Sequence, residues 1–367
     1  MGSFTPIPAS PLRLSGTPFD RGLSHAAQSG ATRHDLEEAV YSRIEQARAA
    51  GLLDTEAMQY LALQQAFLKL HDPDTMNELS GIANGFRLPV EDLFIHQHIT
   101  ILRDLKIAPV AFVEGDGCST WATCRSAEGP ITVKNRDFSG THLGIQRVFF
   151  HEGPDILTGG MICVGSAGSP GAYSSGMNGA GLAVVDNHVS ARIHDIGWLR
   201  YFLMTRILAT CTTVEEAVSF VIEKAHAGGG NMILADRLGN TAAIELGTDR
   251  VGVERGPVSW RTNHFTTETM RDQNLSHGGD RIDNNSRARF AFLSSTLPGR
   301  EWSAADAASL MATHEEDGPG FGPLCQHGER NQSTTISSAI FNCKDKRLYF
   351  LEGNPCHGQW QSYEIPL

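Results

Sequence analysis

The chain has 367 residues, 41% hydrophobic and 19% charged, which is too apolar for a disordered polypeptide and ample for a sizeable core. Asp and Glu outnumber Lys and Arg by 41 to 30, and the formal charge of -11 disfavours binding to nucleic-acid phosphates or anionic lipid. No apolar run is long enough to span a membrane, and MGSFTPIPASPLRLSG lacks the charged start and apolar centre of a secretory signal, so a cytoplasmic protein acting on small molecules is expected.

Residues 32–108 read as helices. In DLEEAVYSRIEQARAAG the positions Leu36, Val40, Ile44 and Ala47 recur every three to four residues, and Gly51 supplies a stop. DTEAMQYLALQQAFLKL follows, capped at Asp54 or Thr55, with Met58, Leu61 and Leu68 along one stripe. Shorter helices are predicted over TMNELSGIANGF and VEDLFIHQHITILRDL. Beyond about residue 112 the pattern changes. CSTWATCR and ITVKNRDF flank the turn SAEGP and form a hairpin signal.

A glycine-rich stretch, GSAGSPGAYSSGMNGAG, leads into the strand-like GLAVVDNHV. Helices are expected near GWLRYFLMTRILAT and TVEEAVSFVIEKAHAG, the second with a capping box between Thr213 and Glu216. NMILADR, NTAAIELG, RVGVERG and VSWRTNHF read as a meander. A helix near SAADAASLMATH and the strands TTISSAIFN and RLYFLEG close the chain. Helices, strands, helices and strands without βαβ alternation indicate an α+β fold.

Seven cysteines, at 118, 124, 163, 211, 325, 343 and 356, are odd in number and lack C-x-x-C spacing, so reduced thiols are expected. Cys118 stands apart in EGDGCSTW, with a glycine before it and a strand after it. A thiol that attacks the preceding carbonyl needs a strained peptide, and Gly117 is read as supplying the freedom for it. Hydrolysis of the resulting thioester frees the Cys118 α-amine, whose ordinary pKa of about 7.7–8.0 suits a general base for its own thiol. A hairpin closed by SAEGP places Cys118 near Asp137, though a one-residue slip would send the two side chains to opposite faces.

The strings GDGCSTW, KNRDF, GMNGAGLAVVDN, GGNMILADRLGNTAAIE, WRTNHF and NNSRARF together resemble, in order and spacing, the acyl-coenzyme A:6-aminopenicillanic acid acyltransferase family of N-terminal nucleophile hydrolases. More distantly, they are similar to the bile-salt and penicillin V acylases. The resemblance implies a four-layer αββα sandwich with an N-terminal helical lobe, self-cut at Gly117–Cys118 into chains 1–117 and 118–367 that stay associated. It implies Cys118 as nucleophile, Asp137 as the aspartate that holds amine and thiol, and Asn187 and Asn263 as oxyanion donors. It places an arginine near the nucleophile at Arg287, or at Arg289 if the correspondence shifts by two, with Ser286 beside it. Lys134 stands where the acylases carry arginine.

The expected activity is hydrolysis of a linear amide of a small N-acyl substrate through an acyl-enzyme thioester, or transfer of the acyl group from an amide or thioester to an amine. Trp121, Tyr173, Phe138 and Phe149 are candidates for an acyl site, with Trp121, Tyr173, Lys134 and Ser286 as substrate contacts; packing in the core is the competing reading of the aromatics. Two other readings are a papain-type hydrolase using His264 and a binding protein without activity. His314 with Glu315, Glu316 and Asp317, and His277 near Asp280, lack zinc or EF-hand spacing, so no metal and no cofactor are expected. A homo-oligomer is left open.

Overall fold

The structure is a computed structural model that describes residues 4–106, 117–275, 281–318, 322–330 and 332–366, with backbone alone at 281–283. Glu114–Asp116, and His277 with Asp280, lie outside the described residues.

Two short strands, β1 (Ile7–Pro8) and β2 (Leu12–Ser15), precede the helices α1 (Pro18–Gln28), α2 (Arg33–Ala49), α3 (Thr55–His71), α4 (Pro73–Phe86) and α5 (Val90–Leu105). The stripe Leu36, Val40, Ile44 and Ala47 is buried in α2, and Gly51 sits past its end at a φ of 72°. Asp54 caps α3 by accepting from the Ala57 N–H. The buried face of α3 is Ala57, Leu61, Gln64 and Leu68, so Leu61 and Leu68 lie where they were read from sequence, whereas Met58 is exposed. Helices α1 and α4 touch backbone to backbone. A Cβ at Gly22 would fall 2.2 Å from the Glu78 carbonyl, and one at Gly81 2.2 Å from that of Phe19.

The strands β3 (Gly117–Thr123), β4 (Ile131–Ser139), β5 (Gln146–Glu152), β6 (Met161–Ser166), β7 (Ser175–Asn178) and β8 (Ala183–His188) come next. They are followed by α6 (Arg200–Thr210), α7 (Val214–Ile222), β9 (Gly230–Ala235), β10 (Thr241–Leu246), β11 (Val251–Arg255) and β12 (Val258–Arg261). The chain ends with α8 (Arg281–Thr296), α9 (Ala304–Met311), β13 (Ser333–Asn342), β14 (Arg347–Glu352) and β15 (Gln361–Glu364).

The strands form two sheets, β1-β15-β14-β13-β4-β3-β12 and β11-β10-β9-β8-β7-β6-β5-β2. Period-2 alternation builds the layers. Ile162 and Val164 face the inter-sheet core with Phe341 and Phe350, while their neighbours Met161 and Cys163 pack against the helices α2–α7. In the other sheet Ala122 faces inward, and Trp121 faces outward to Trp302 and Leu297 beneath α8 and α9. The order is helix, sheet, sheet, helix, the αββα sandwich. Each large apolar side chain sealed between the sheets contributes about 1.5–3 kcal/mol.

Three expectations are corrected. VSWRTNHF does not extend the meander, because β12 crosses to the other sheet and pairs with β3. Thr213 accepts from the Glu216 N–H, but the Glu216 carboxylate turns to the N–H and hydroxyl of Thr212 instead of closing a box. The segment before residue 117 is more than a helical lobe. Its β1 and β2 edge the two sheets, and buried Arg21 forks onto Asp155 at 2.7 and 2.8 Å.

Candidate active site

The site starts at the open end of the β3–β4 hairpin, whose turn is made by Gly129 at a φ of 103°. The register pairs Gly117 with Asp137 and Cys118 with Arg136, one position away from a direct Cys118–Asp137 pairing. Cys118 therefore shares a sheet face with Arg136, while Asp137 shares one with Gly117. This explains the glycine. Gly117 has no left-handed φ; a Cβ there would lie 3.0 Å from Asp137 Cβ and 3.1 Å from Oδ2. The position leaves little room for a side chain against a carboxylate, a steric reason for glycine beside the backbone freedom read from sequence.

The Cys118 backbone is gripped on both sides. Its N–H donates to Asn263 Oδ1 at 2.9 Å, and its carbonyl accepts from Asn187 Nδ2 at 3.0 Å and from Arg289 Nη1 at 2.5 Å. Asn187 projects from β8 in the opposing sheet, where its Oδ1 accepts from the Thr120 hydroxyl. Asn263 follows β12, with its backbone N–H on Ser286 Oγ and its Nδ2 on the His188 carbonyl. Both amide N–H groups are thus engaged by carbonyls while the 117–118 peptide is in place.

Arg289, not Arg287, is the arginine that lies against Cys118. Arg289 is 1% exposed on the inner face of α8, and its guanidinium also reaches Ser119 Oγ, Asn263 Oδ1 and Asn285 Oδ1. Arg287, two residues earlier on a 3.6-residue repeat, lies on the exposed face. Burial lowers the Arg289 pKa, while the charges of Asp137 and Cys118 support its cation. Asp137 is buried with Oδ1 accepting from the Thr335 hydroxyl at 2.6 Å. Its Oδ2 has no hydrogen-bond partner among the described residues. Burial raises its pKa against the pull of Arg289, Thr335 and Lys134.

A narrow cavity of about 20 Å³ opens on Cys118. Strand β4 lines it with Lys134, Arg136, Asp137 and Phe138, α5 with His96, Gln97 and Thr100, and α2 with Arg43. Tyr173, Asp186, Arg200 and Tyr201 complete it. Four cations against two carboxylates leave a surplus of two positive charges. Asp186 binds both Lys134 Nζ at 2.5 Å and Arg200 Nε at 2.6 Å; burial pushes its pKa up, but the two cations hold it below the ordinary range. Arg136 is anchored by Gln146 and Ser166 and lies over the rings of Phe138 and Tyr173. His96 and His142 stay neutral because burial, next to nearby cations, holds them well below their usual pKa.

Of the other candidates, Lys134, Tyr173 and Phe138 line the cavity, but Trp121, Phe149 and Ser286 do not. Trp121 is sealed in the outer core with its Nε1 on Met311 Sδ, and Phe149 stacks on His25. The Ser286 hydroxyl holds Thr262 and Asn263 in place. His264 meets Ser286 Oγ through Nδ1 at 2.8 Å and is absent from the cavity lining, which removes the support for a papain-like pairing. Sequence reasoning missed Arg136, whose i,i+2 spacing from Lys134 within β4 gave a readable signal. It also missed Arg43 and Arg200, whose approach depends on α2 and α6 docking against the sheet, and Asp186 of β8, which Arg200 meets there.

The acyl-coenzyme A:6-aminopenicillanic acid acyl-transferase family model matches residues 124–357, a span that includes Asp137, Asn187, Asn263 and Arg289 and begins just past Cys118. No curated protein sequence matches the chain. Among solved structures, a mutant of conjugated bile acid hydrolase from Clostridium perfringens is similar at 10% identity and a TM-score of 0.40, over 68% of this chain and 97% of that one. Penicillin V acylase from Agrobacterium tumefaciens is similar at 15% identity and a TM-score of 0.35, over 64% and 83%. With the family match covering well over half of its length, the chain belongs to the acyl-coenzyme A:6-aminopenicillanic acid acyl-transferase family.

Proposed function

We propose that the chain is a self-processing cysteine amidohydrolase whose nucleophile is Cys118. The observation that carries this reading is the two-sided grip on the Cys118 backbone, next to a glycine packed against a buried carboxylate. In processing, Cys118 Sγ adds to the Gly117 carbonyl, the C–N bond breaks and a thioester forms. Water then releases the Gly117 carboxylate and leaves Sγ–H and a free α-amine on Cys118. Residues 1–117 stay bound to 118–367 through β1, β2 and the Arg21–Asp155 fork.

In turnover the α-amine, steered by Asn263 Oδ1, takes the thiol proton and Sγ attacks the substrate carbonyl. Asn263 and Asn187 are assigned to the oxyanion. This requires the Asn263 amide to leave the His188 carbonyl, and the Asn187 amide to leave the Cys118 carbonyl, once the cut has freed the strand end. The surplus positive charge of the cavity favours a small N-acyl amide carrying an anionic group. Acyl transfer to an amine is the second reading, favoured by the family to which the chain belongs.

Intact-mass analysis of the purified protein tests the proposal. A fragment beginning at Cys118 is expected, together with turnover of N-acyl amino acids, β-lactams or acyl thioesters that Cys118→Ala abolishes. An uncut yet active protein would sink it.

A further inference from the structure

Away from the Cys118 cavity, four side chains converge from three stretches of the chain. His314 follows α9, Cys325 and His327 lie before β13, and Cys356 follows β14. One ligand atom from each falls within 4.8 Å of all the others. The two Sγ atoms are 3.6 Å apart, His327 Nε2 is 3.6 Å from Cys325 Sγ and 3.3 Å from Cys356 Sγ, and the two Nε2 atoms are 3.0 Å apart. With Zn–S near 2.3 Å and Zn–N near 2.0–2.1 Å, tetrahedral edges come to about 3.8 Å for S to S and about 3.3 Å for N to N. The four separations are close to those around a single tetrahedral ion, and two thiolates with two imidazoles are a donor set that suits zinc.

The surroundings suit the same chemistry. Asp317 Oδ2 is 3.1 Å from His314 Nδ1, so a proton on Nδ1 leaves the Nε2 lone pair facing the centre. Asn354 Nδ2 approaches Cys325 Sγ at 3.6 Å, as a donor to a thiolate would. We propose that His314, Cys325, His327 and Cys356 form a structural Cys2His2 zinc site. Each thiol gives its proton to solvent on binding, and the two thiolates neutralise the dication. The proposal departs from the expectation of no metal, which rested on contiguous spacing around His314; the packing of separate segments brings these ligands together.

The site also bears on the catalytic centre. Gln326, between two ligands, accepts at its carbonyl from the Thr335 N–H, and Thr335 donates to Asp137. Its Oε1 accepts from Asn285, which in turn holds Arg289 Nε. The metal would therefore fix the segment that braces both Asp137 and Arg289.

Metal analysis of the full-length protein, purified without chelator, tests this independently of self-processing. The expected content is about one zinc per chain. It should persist in Cys118→Ala and fall by about tenfold or more in Cys325→Ser and Cys356→Ser. Because those variants could misfold, wild-type protein exchanged into cobalt gives a second readout, with thiolate-to-cobalt charge transfer and the intense visible bands of a tetrahedral ion. A wild-type chain that takes up neither metal, or one in which Cys325 and Cys356 resist alkylation until reduced, overturns the assignment.

Discussion

Replacing Arg289 by lysine probes the centre of the site, because it keeps a cation and removes the fork. Arg289 makes four hydrogen bonds, to the Cys118 carbonyl, Ser119, Asn263 and Asn285, from three nitrogens fixed in one plane. A lysine ammonium is a single point and cannot span the Cys118 carbonyl and Asn263 together. Losing about two charge-assisted bonds at roughly 1.5–3 kcal/mol each removes at least about 3 kcal/mol of positioning. At 1.36 kcal/mol per decade, both the appearance of the chain starting at Cys118 and amide turnover should slow by about 100-fold. The assay is mass spectrometry over a time course of synthesis, with a thermal melt to confirm folding and Arg287→Lys as the control. Wild-type processing in Arg289→Lys, or an equal loss in Arg287→Lys, would refute the assignment.

Two further outcomes follow from local geometry and burial. Gly117→Ala places a methyl 3.0 Å from Asp137 Cβ, so about 1–3 kcal/mol of stability should be lost and processing slowed; an undisturbed melt would show that space is not what the position requires. Burial pushes His25 and His151 down to about 3 and His98 to about 4, so the folded state refuses protons that the unfolded chain accepts near 6.5. Their stability contribution is present above pH 6.5 and drains as pH falls toward 3, by about 2 kcal/mol per histidine at pH 5. Urea unfolding midpoints that do not change between pH 7 and pH 5 would contradict this.

Legibility in the sequence depended on distance along the chain. The helix α2, the β3–β4 hairpin and the strand β8 could be read because their periodicity, caps and turn residues act within a few positions. The site motifs were readable for the same reason, and Asp137, Asn187 and Asn263 all lie within hydrogen-bonding or packing reach of residues 117 and 118. Arg287 and Arg289 could not be separated without knowing that Arg281–Thr296 is helical, since two steps on a helix rotate a side chain through more than half a turn. In α3, Leu61 and Leu68 were read correctly and Met58 was not, because that helix also exposes apolar side chains such as Leu63 and Leu70.

The residues alone determined which backbone segments coil or extend and which cysteine follows a glycine at a strand start, because those choices are made by local sterics and side-chain periodicity. Only the tertiary structure decided that Gly117 faces a buried carboxylate, that Trp121 belongs to the outer core, and that His314, Cys325, His327 and Cys356 meet. Such contacts join segments far apart in the chain, and they are set by how layers pack against one another, a property that no single stretch of sequence contains.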